Sequence, residues 1–409
     1  MILVGAQTAI ALAALAVWIN LLLARGRFWA CSVRDDRDGP AADPARWPGV
    51  VAVVPARNEA EMIPHSLASL LRQDYPGPFS VVLVDDDSSD ATLAVTRSLA
   101  ARAPDRLTIV QGAKLPAGWT GKLWAVSQGV ARAEASPAPP EYLLLTDADI
   151  GYAPGALRSL VRRAQAEQLA MVSLMAKLRC ESLAERALIP AFVFFFQMLY
   201  PFAWVNRREA ATAAAAGGCM LVRTDALAAA GGIESIRGAL IDDCALAAQL
   251  KRHGPIWLGL TERVCSLRPY PSFDDIRRMV ARSAYAQLRF SPWWLAATVA
   301  GLALAYLAAP SIALLGSGMA RWIAIATWTM MAIAFWPTVR FYRLWPTWTL
   351  ALPAIAAAYL GFTLDSAWQH ARGRGGLWKG RAQAGNEGAG QPPRAPPADV
   401  KNEARGRVS

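Results

Sequence analysis

Asp147 and Asp149 stand one residue apart, just past a short apolar run from Tyr142 to Leu145. Residues at i and i+2 of an extended chain project to the same side. That spacing lets both carboxylates reach one hard divalent cation and present it to a diphosphate. An ordinary polar turn would also use aspartates here, so the pair needs company before it counts as a site. Other polar clusters also follow apolar runs. Pro55-Ala56-Arg57-Asn58-Glu59 follows Val50 to Val54, and Asp85 to Asp90 follows Val81 to Val84. Lys122 ends a Gly118 to Lys122 loop ahead of a helical stretch. Gly217-Gly218-Cys219 forms a small-residue turn where glycine permits close backbone approach to a ligand. Asp242 and Asp243 open a helix over Cys244 to His253, where acids complement the helix dipole.

The elements that must position these groups follow from the pattern. Val50 to Val54 is apolar and mostly β-branched, as expected of a strand buried on both faces. Further strands are predicted at Val81 to Val84, Leu107 to Val110, Tyr142 to Leu145 and Ala170 to Leu174. Helices are predicted over Glu59 to Arg72, from about Ala91 with Asp90 as cap, and over Leu123 to Ala135. This alternation predicts a parallel sheet with right-handed crossovers. Ligands of such sheets bind beyond the carboxyl ends of the strands. Arg57, Asn58 and Glu59, then Asp85 and Asp86, Lys122, and Asp147 with Asp149 are therefore expected to meet at one cleft.

The 409 residues are 54% hydrophobic, with a net charge of +11. That is too apolar for a soluble domain alone and suits one large domain with membrane segments. The excess arginine lies near apolar segments, which fits an anionic membrane surface. No arginine-and-aromatic module is present, so no nucleic-acid partner is expected. Cys31, Cys180, Cys219, Cys244 and Cys265 form no Cys-x-x-Cys and read as reduced thiols of a cytosolic domain. Residues 1–24 read as a transmembrane anchor, and the arginines after it place the next segment in the cytosol. Residues 25–49 read as a linker and 50–290 as a cytosolic domain, with an interfacial helix at 183–205 flanked by Arg186, Arg207 and Arg208. Membrane helices are expected within 291–368, and a basic, largely disordered tail over 369–409. Four full spans would leave that tail outside, yet it holds eight Lys+Arg against three acids from His370 onward. Thr347 to Leu364 is short and holds Pro353, so it is expected not to cross fully.

In this order and spacing, PARNE, VDDDSSDAT, GWTGKLWA, TDAD, GGCMLVR and IDDCALAAQLKRHG resemble family 2 glycosyltransferases over roughly Val50 to Arg289. The set looks most like the membrane-anchored, hopene-associated enzymes of bacteria, with ceramide glucosyltransferases as cousins; Trp378 to Arg381 resembles the ends of those chains. The resemblance implies an α/β fold of the nucleotide-sugar type A, with a mostly parallel sheet and transmembrane helices at both ends. It implies a multi-pass protein of the bacterial inner membrane. It further implies a nucleotide-sugar donor, with UDP the expected nucleotide, bound by Pro55, Arg57, Glu59, Asp85, Asp86, Lys122, Asp147 and Arg282. Asp149 and Asp147 would hold Mg2+ or Mn2+, with Asp149 the more direct ligand. Asp243, beside Asp242, would be the general base, and Gly217, Gly218 and Cys219 the acceptor loop.

The chemistry needs these types. A departing diphosphate needs cationic stabilisation, and an acceptor hydroxyl needs a carboxylate within reach to take its proton. One base without a second nucleophile implies a single displacement with inversion. Two departures stand out. The family's Gln-x-x-Arg-Trp is Met279-Val280-Ala281-Arg282-Ser283 here, which keeps an arginine but loses the aromatic acceptor platform of a processive synthase. Asp87 stands where glycine is usual. The expected acceptor is a lipid hydroxyl, a hopanoid being one candidate. The alternatives are a polyprenyl phosphate, which the arginines from Arg277 to Arg289 would suit, and a catalytically degenerate membrane scaffold.

Overall fold

The computed structural model describes residues 2–37, 42–372, 377–378 and 381–382. Eight strands form one sheet: β1 (Val50–Ala56), β2 (Phe79–Asp85), β3 (Leu107–Gln111), β4 (Tyr142–Leu145), β5 (Ile150–Tyr152), β6 (Met171–Lys177), β7 (Met220–Arg223) and β8 (Ile256–Ser266). Their order is β3-β2-β1-β4-β7-β6-β8-β5. β1 to β4 pair in parallel, as do β6 and β8. β7 runs against both β4 and β6, and β5 against β8. The sheet is mostly parallel, as expected.

The β1 run is buried on both faces for a simple reason. Val51 and Val53 face one core with Leu123 and Val126, while Val50, Ala52 and Val54 face another with Leu67 and Leu70. Period-2 alternation turns one apolar run into the wall of two cores. The helix Ile63–Leu71 covers one face and Gly121–Glu134 the other. The second begins earlier than the sequence suggests. Thr120 caps it by accepting the Leu123 N–H at 3.3 Å. Lys122 thus lies in a helical first turn rather than in a loop. The helix expected from Glu59 instead starts at Ile63, after a turn.

Among the described residues, five helical segments are long and apolar enough to cross a membrane: Gly5–Ala24, Leu183–Val205, Pro292–Leu315, Gly318–Phe341 and Pro346–Ala371. Leu183–Val205 connects β6 to β7, which are paired neighbours in the sheet. A single complete crossing would separate two hydrogen-bonded strands, which the pairing of β6 with β7 does not allow. Within Pro292–Leu315 the stretch Ala303–Ala308 is a π-helical turn. Such a turn loosens the regular ladder, and Trp18 Nε1 of the first helix donates to the Ala305 carbonyl at 2.6 Å.

The last apolar segment is longer than expected. A 3-10 stretch, Pro346–Ala351, leads into the helix Leu352–Ala371, which continues past Asp365. Pro346 and Pro353 fall in first turns, where a missing N–H costs nothing. Trp328 Nε1 donates to the Leu350 carbonyl near the start of this segment. Near its end, Asp365 pairs with Arg277, the Tyr285 N–H donates to Ser366 Oγ at 3.0 Å, and His370 stacks on Phe290. Leu377–Trp378 and Arg381–Ala382 form a short antiparallel pair. Residues 38–41 of the expected linker and most of the expected tail, Lys379 and Gly380 included, lie outside the described residues.

Candidate active site

The exits of β1 and β2 clasp each other. Arg57 donates to the carbonyls of Asp86 and Asp87, and the Asn58 N–H donates to Ser88 Oγ at 3.0 Å. Asn58 Oδ1 in turn accepts the Ser89 N–H at 2.8 Å. Asn58 and Asp87 are left-handed, with φ of 50° and 56°. Asn and Asp tolerate that region better than most side chains, which explains how Asp87 can stand at a position usual for glycine. The helix Thr92–Arg102 has Ala91 at its N-cap rather than the expected Asp90, which still accepts the Thr92 N–H at 2.9 Å from one residue farther out. Asp85 and Asp86 are buried. Asp85 Oδ1 has no hydrogen-bond partner among the described residues; a buried acceptor of that kind suits a ligand donor. Pro55 sits beyond Leu145, where β4 ends its pairing with β1 at Val53. It lines a small cavity with Lys122, Thr146, Asp147, Gly217 and Asp242.

Lys122 is the hub of that cavity. Its ammonium lies 2.9 Å from Asp147 Oδ1 and 3.0 Å from Asp242 Oδ2. Burial would discharge it, but the two carboxylates hold its pKa above the ordinary lysine value. Asp243 is arranged differently. Its carboxylate accepts backbone N–H groups from Gly217 at 3.0 Å and Cys244 at 2.7 Å. Burial first, and then the neighbouring charge of Asp242, push its pKa up to about 6, against the opposing pull of Lys122. A carboxylate poised near neutral pH is what general-base work requires. Gly217 lies against both groups: a Cβ there would be in ordinary van der Waals contact with Lys122 Nζ at 3.4 Å and Asp243 Oδ2 at 3.5 Å.

Asp149 and Glu59 meet a partner that the sequence pattern does not single out. Arg268 Nε donates to Asp149 Oδ2 at 2.6 Å, and its Nη2 reaches both Glu59 oxygens at 2.7 and 2.6 Å. Arg268 stands two residues past β8, as Asp147 stands two past β4. β8 is absent from the strands predicted above, although Ile256 to Leu260 is the same kind of apolar run that marks the others. β8 is oriented like β4, so its carboxyl end opens on the same cleft.

Five carboxylates (Glu59, Asp147, Asp149, Asp242, Asp243) thus surround two cations, Lys122 and Arg268. Such a net negative centre would repel a diphosphate unless a further cation joined it. Among the described residues no group of three or more His, Cys, Asp or Glu is placed to hold a metal by itself. Asp147 and Asp149, the expected metal pair, are each engaged by a cation instead, Lys122 and Arg268 respectively.

The remaining candidates sort by exposure. Arg282 is exposed at the end of the helix Phe273–Ala281. Its charge is felt at Tyr270 along with those of Asp149 and Arg268, which puts it at the rim. Cys219 is fully enclosed in the core that contains Ile150 and Leu221. Its side chain is thus no part of an acceptor surface, and the loop offers Gly217 and Gly218 instead. Tyr200 is a further residue that no sequence motif marks. It caps the apolar helix Leu183–Leu199, its hydroxyl accepts from Gln287 Nε2 at 2.6 Å, and it hydrogen-bonds Cys244 next to Asp243.

Comparison with known proteins agrees with this fold. The family model described as "Glycosyltransferase like family 2" matches residues 48–286. A 4,4'-diaponeurosporenoate glycosyltransferase of Staphylococcus aureus (strain MRSA252) is 37% identical over 81 residues, 20% of this chain and 20% of that relative's length. The mannosyltransferase PcManGT from Pyrobaculum calidifontis, solved in complex with GDP-Man and Mn2+, matches with a TM-score of 0.56 at 21% identity. That match covers 89% of this chain and 99% of the other, and at such identity it speaks for the fold.

Proposed function

The chain belongs to the glycosyltransferase-like family 2, and from that premise we propose that it is a membrane-bound, inverting enzyme that moves a sugar from a nucleotide-sugar, in our reading a UDP-sugar, to a lipid hydroxyl. The observation that carries this reading is the place of Asp243. On one side it meets Gly217 and the charge of Lys122, and on the other Cys244 and Tyr200, at the end of an apolar helix. A base so placed faces the donor cleft and the apolar helix together.

In this mechanism Asp85 and Asp86 receive the nucleoside, and Arg57 holds their turn in shape. Asp149 and Asp147 would hold Mg2+ or Mn2+, which when bound supplies positive charge to the departing diphosphate. Arg282 meets the same phosphates from the rim. Asp243 takes the acceptor proton as the hydroxyl attacks the anomeric carbon, and Lys122 keeps that carboxylate ionised by opposing Asp242. The test is UDP release by the solubilised full chain, dependent on added lipid, with the product anomer read by NMR. Retained configuration would sink the single-displacement mechanism.

For the acceptor we favour a hopanoid or another polycyclic or isoprenoid alcohol. The S. aureus relative's name gives 4,4'-diaponeurosporenoate as its substrate, a carboxylate and not an alcohol, so the hydroxyl rests on the base Asp243 and not on that relative. Lipid profiling of a deletion strain beside the wild type would identify the acceptor here. The polyprenyl-phosphate alternative loses ground because Arg277 and Arg278 are engaged by Asp274, Asp275 and Asp365. The scaffold alternative loses ground because Asp149 and Asp243 are both present.

We read the domain plan as an anchor at 1–24, a linker at 25–49, a cytosolic catalytic domain at 50–290, membrane helices at 291–368 and a basic tail at 369–409, in the bacterial inner membrane. Gly318–Phe341 is followed by Arg343, which lies 3.5 Å from Glu262 of β8. Leu350 is beside Trp328, well inside that helix, and Asp365 and His370 are back beside Arg277 and Phe290. These contacts support a last segment that dips in and returns, leaving the tail in the cytosol.

A further inference from the structure

The two members of the Asp-x-Asp pair are not equally available. Asp147 is 37% exposed and shares Lys122 with Asp242. Asp149 is 16% exposed, and Arg268 is bound to it at 2.6 Å. The other end of the guanidinium grips both oxygens of Glu59. Glu59 itself is fixed, since its backbone N–H donates to Thr92 Oγ1 at 2.8 Å. The Asp149 backbone is fixed too, with its carbonyl accepting the Leu267 N–H at 2.8 Å. Arg268 is thus a forked cation strapped across two carboxylates that different strand exits hold in place, and a planar guanidinium suits that bidentate geometry.

We propose that Arg268 is a counter-ion latch on Asp149: it occupies this carboxylate until a metal ion arrives together with the nucleotide diphosphate, and the freed guanidinium then meets the phosphates. This rests on the reading of Asp149 as a metal ligand. The physical reason is the charge balance. A divalent cation arriving alone would have to displace Arg268 from a partly buried ion pair and leave that guanidinium facing a second cation. Arriving with a diphosphate, it brings the anion that Arg268 needs on leaving Asp149. Metal and nucleotide binding are therefore coupled through one side chain, and by linkage each tightens the other by the same factor.

The test is calorimetric titration of Mn2+ into the full chain in detergent, with and without UDP. Arg268→Gln should bind Mn2+ alone about tenfold more tightly than the wild type, because a partly buried pair no longer competes. The same variant should lose most of the gain in Mn2+ affinity that UDP brings. Arg268→Lys keeps the charge without the fork and should fall between the two. A merely structural arginine would weaken both titrations, or neither. Arg268→Gln with wild-type melting temperature but unchanged or weaker Mn2+ binding overturns the latch. Asp149→Ala separates the two ideas: wild-type binding of Mn2+ with UDP in that variant refutes the metal-ligand reading itself, and the latch with it. If Asp149→Ala loses Mn2+ while Arg268→Gln changes nothing, only the latch fails.

Discussion

The backbone N–H of Gly217 donates to the carboxylate of Asp243 at 3.0 Å, so the turn that enters β7 sets the direction of the acid that opens the helix Asp242–Leu250. The second oxygen of Asp243 is held by the N–H of Cys244, in the first turn of the same helix. Two backbone amides thus fix the orientation of this carboxylate. Its neighbour Asp242 is spent on Lys122.

Asp243→Asn preserves size and hydrogen bonding to one amide but cannot take a proton. Turnover should fall about 100- to 10,000-fold, the usual worth of a positioned base. Nucleotide affinity should stay near the wild-type value, because the donor is held by other strand exits. Single-turnover kinetics and UDP calorimetry check the split. Collapse of UDP binding with surviving turnover of bound donor would contradict the assignment.

The acid limb of the rate profile should report the same residue. Asp243 is raised to about 6 by burial and by Asp242, and it works only when ionised. Turnover should therefore be level above about pH 6 and fall tenfold per pH unit below it. A profile still level at a full unit below that value would point to another base.

Lys122→Gln removes the cation shared by Asp147 and Asp242. Two acids then repel each other in a confined space. Folding stability at neutral pH should drop by about 1–3 kcal/mol, less than for a fully buried pair because Asp147 is partly exposed. Loss of that positive charge also raises Asp243 further, so the acid limb should move to higher pH. Thermal melting in detergent and the pH profile read the two effects separately. An acid limb unmoved, or moved downward, would mean that Lys122 does not set the base.

Topology has its own readout. A reporter fused after Arg381 should fluoresce in the cytosol and show no periplasmic phosphatase activity. Periplasmic activity there would mean that Pro346–Ala371 crosses completely.

The strand exits are legible in the sequence because each joins an apolar run to a polar cluster, and the two sides of the join need opposite surroundings. Asp147 and Asp149 stand out that way, and Arg268 is open to the same reasoning at the end of Ile256 to Leu260. It escapes notice because a lone arginine after a strand carries no motif, and its meaning comes from Glu59, more than two hundred residues earlier. Lys122 reads as a loop residue because a Gly-Trp-Thr-Gly stretch looks irregular until Thr120 is seen to cap a helix. Cys219 groups with its glycines by adjacency, while the alternation entering β7 turns its side chain into the core. Hydropathy identifies every apolar segment, but it measures preference for lipid and says nothing of where a chain turns back. Pro346 and Pro353 look like interruptions for the same reason. Only the observed helix starts show that they are first-turn residues.

The grip of Trp18 on the Ala305 carbonyl has a bearing on how the protein is made. The two residues are 287 positions apart, and the indole also meets the ring of Tyr306 edge-on at 5.5 Å. The first helix leaves the ribosome long before its partner is translated, and at roughly 5–20 residues per second that delay lasts on the order of tens of seconds. During that interval the sheet domain can fold on its own side while Trp18 stays unmatched. The first helix is therefore a stave of the finished bundle as well as a tether, and its final docking is an event of late synthesis.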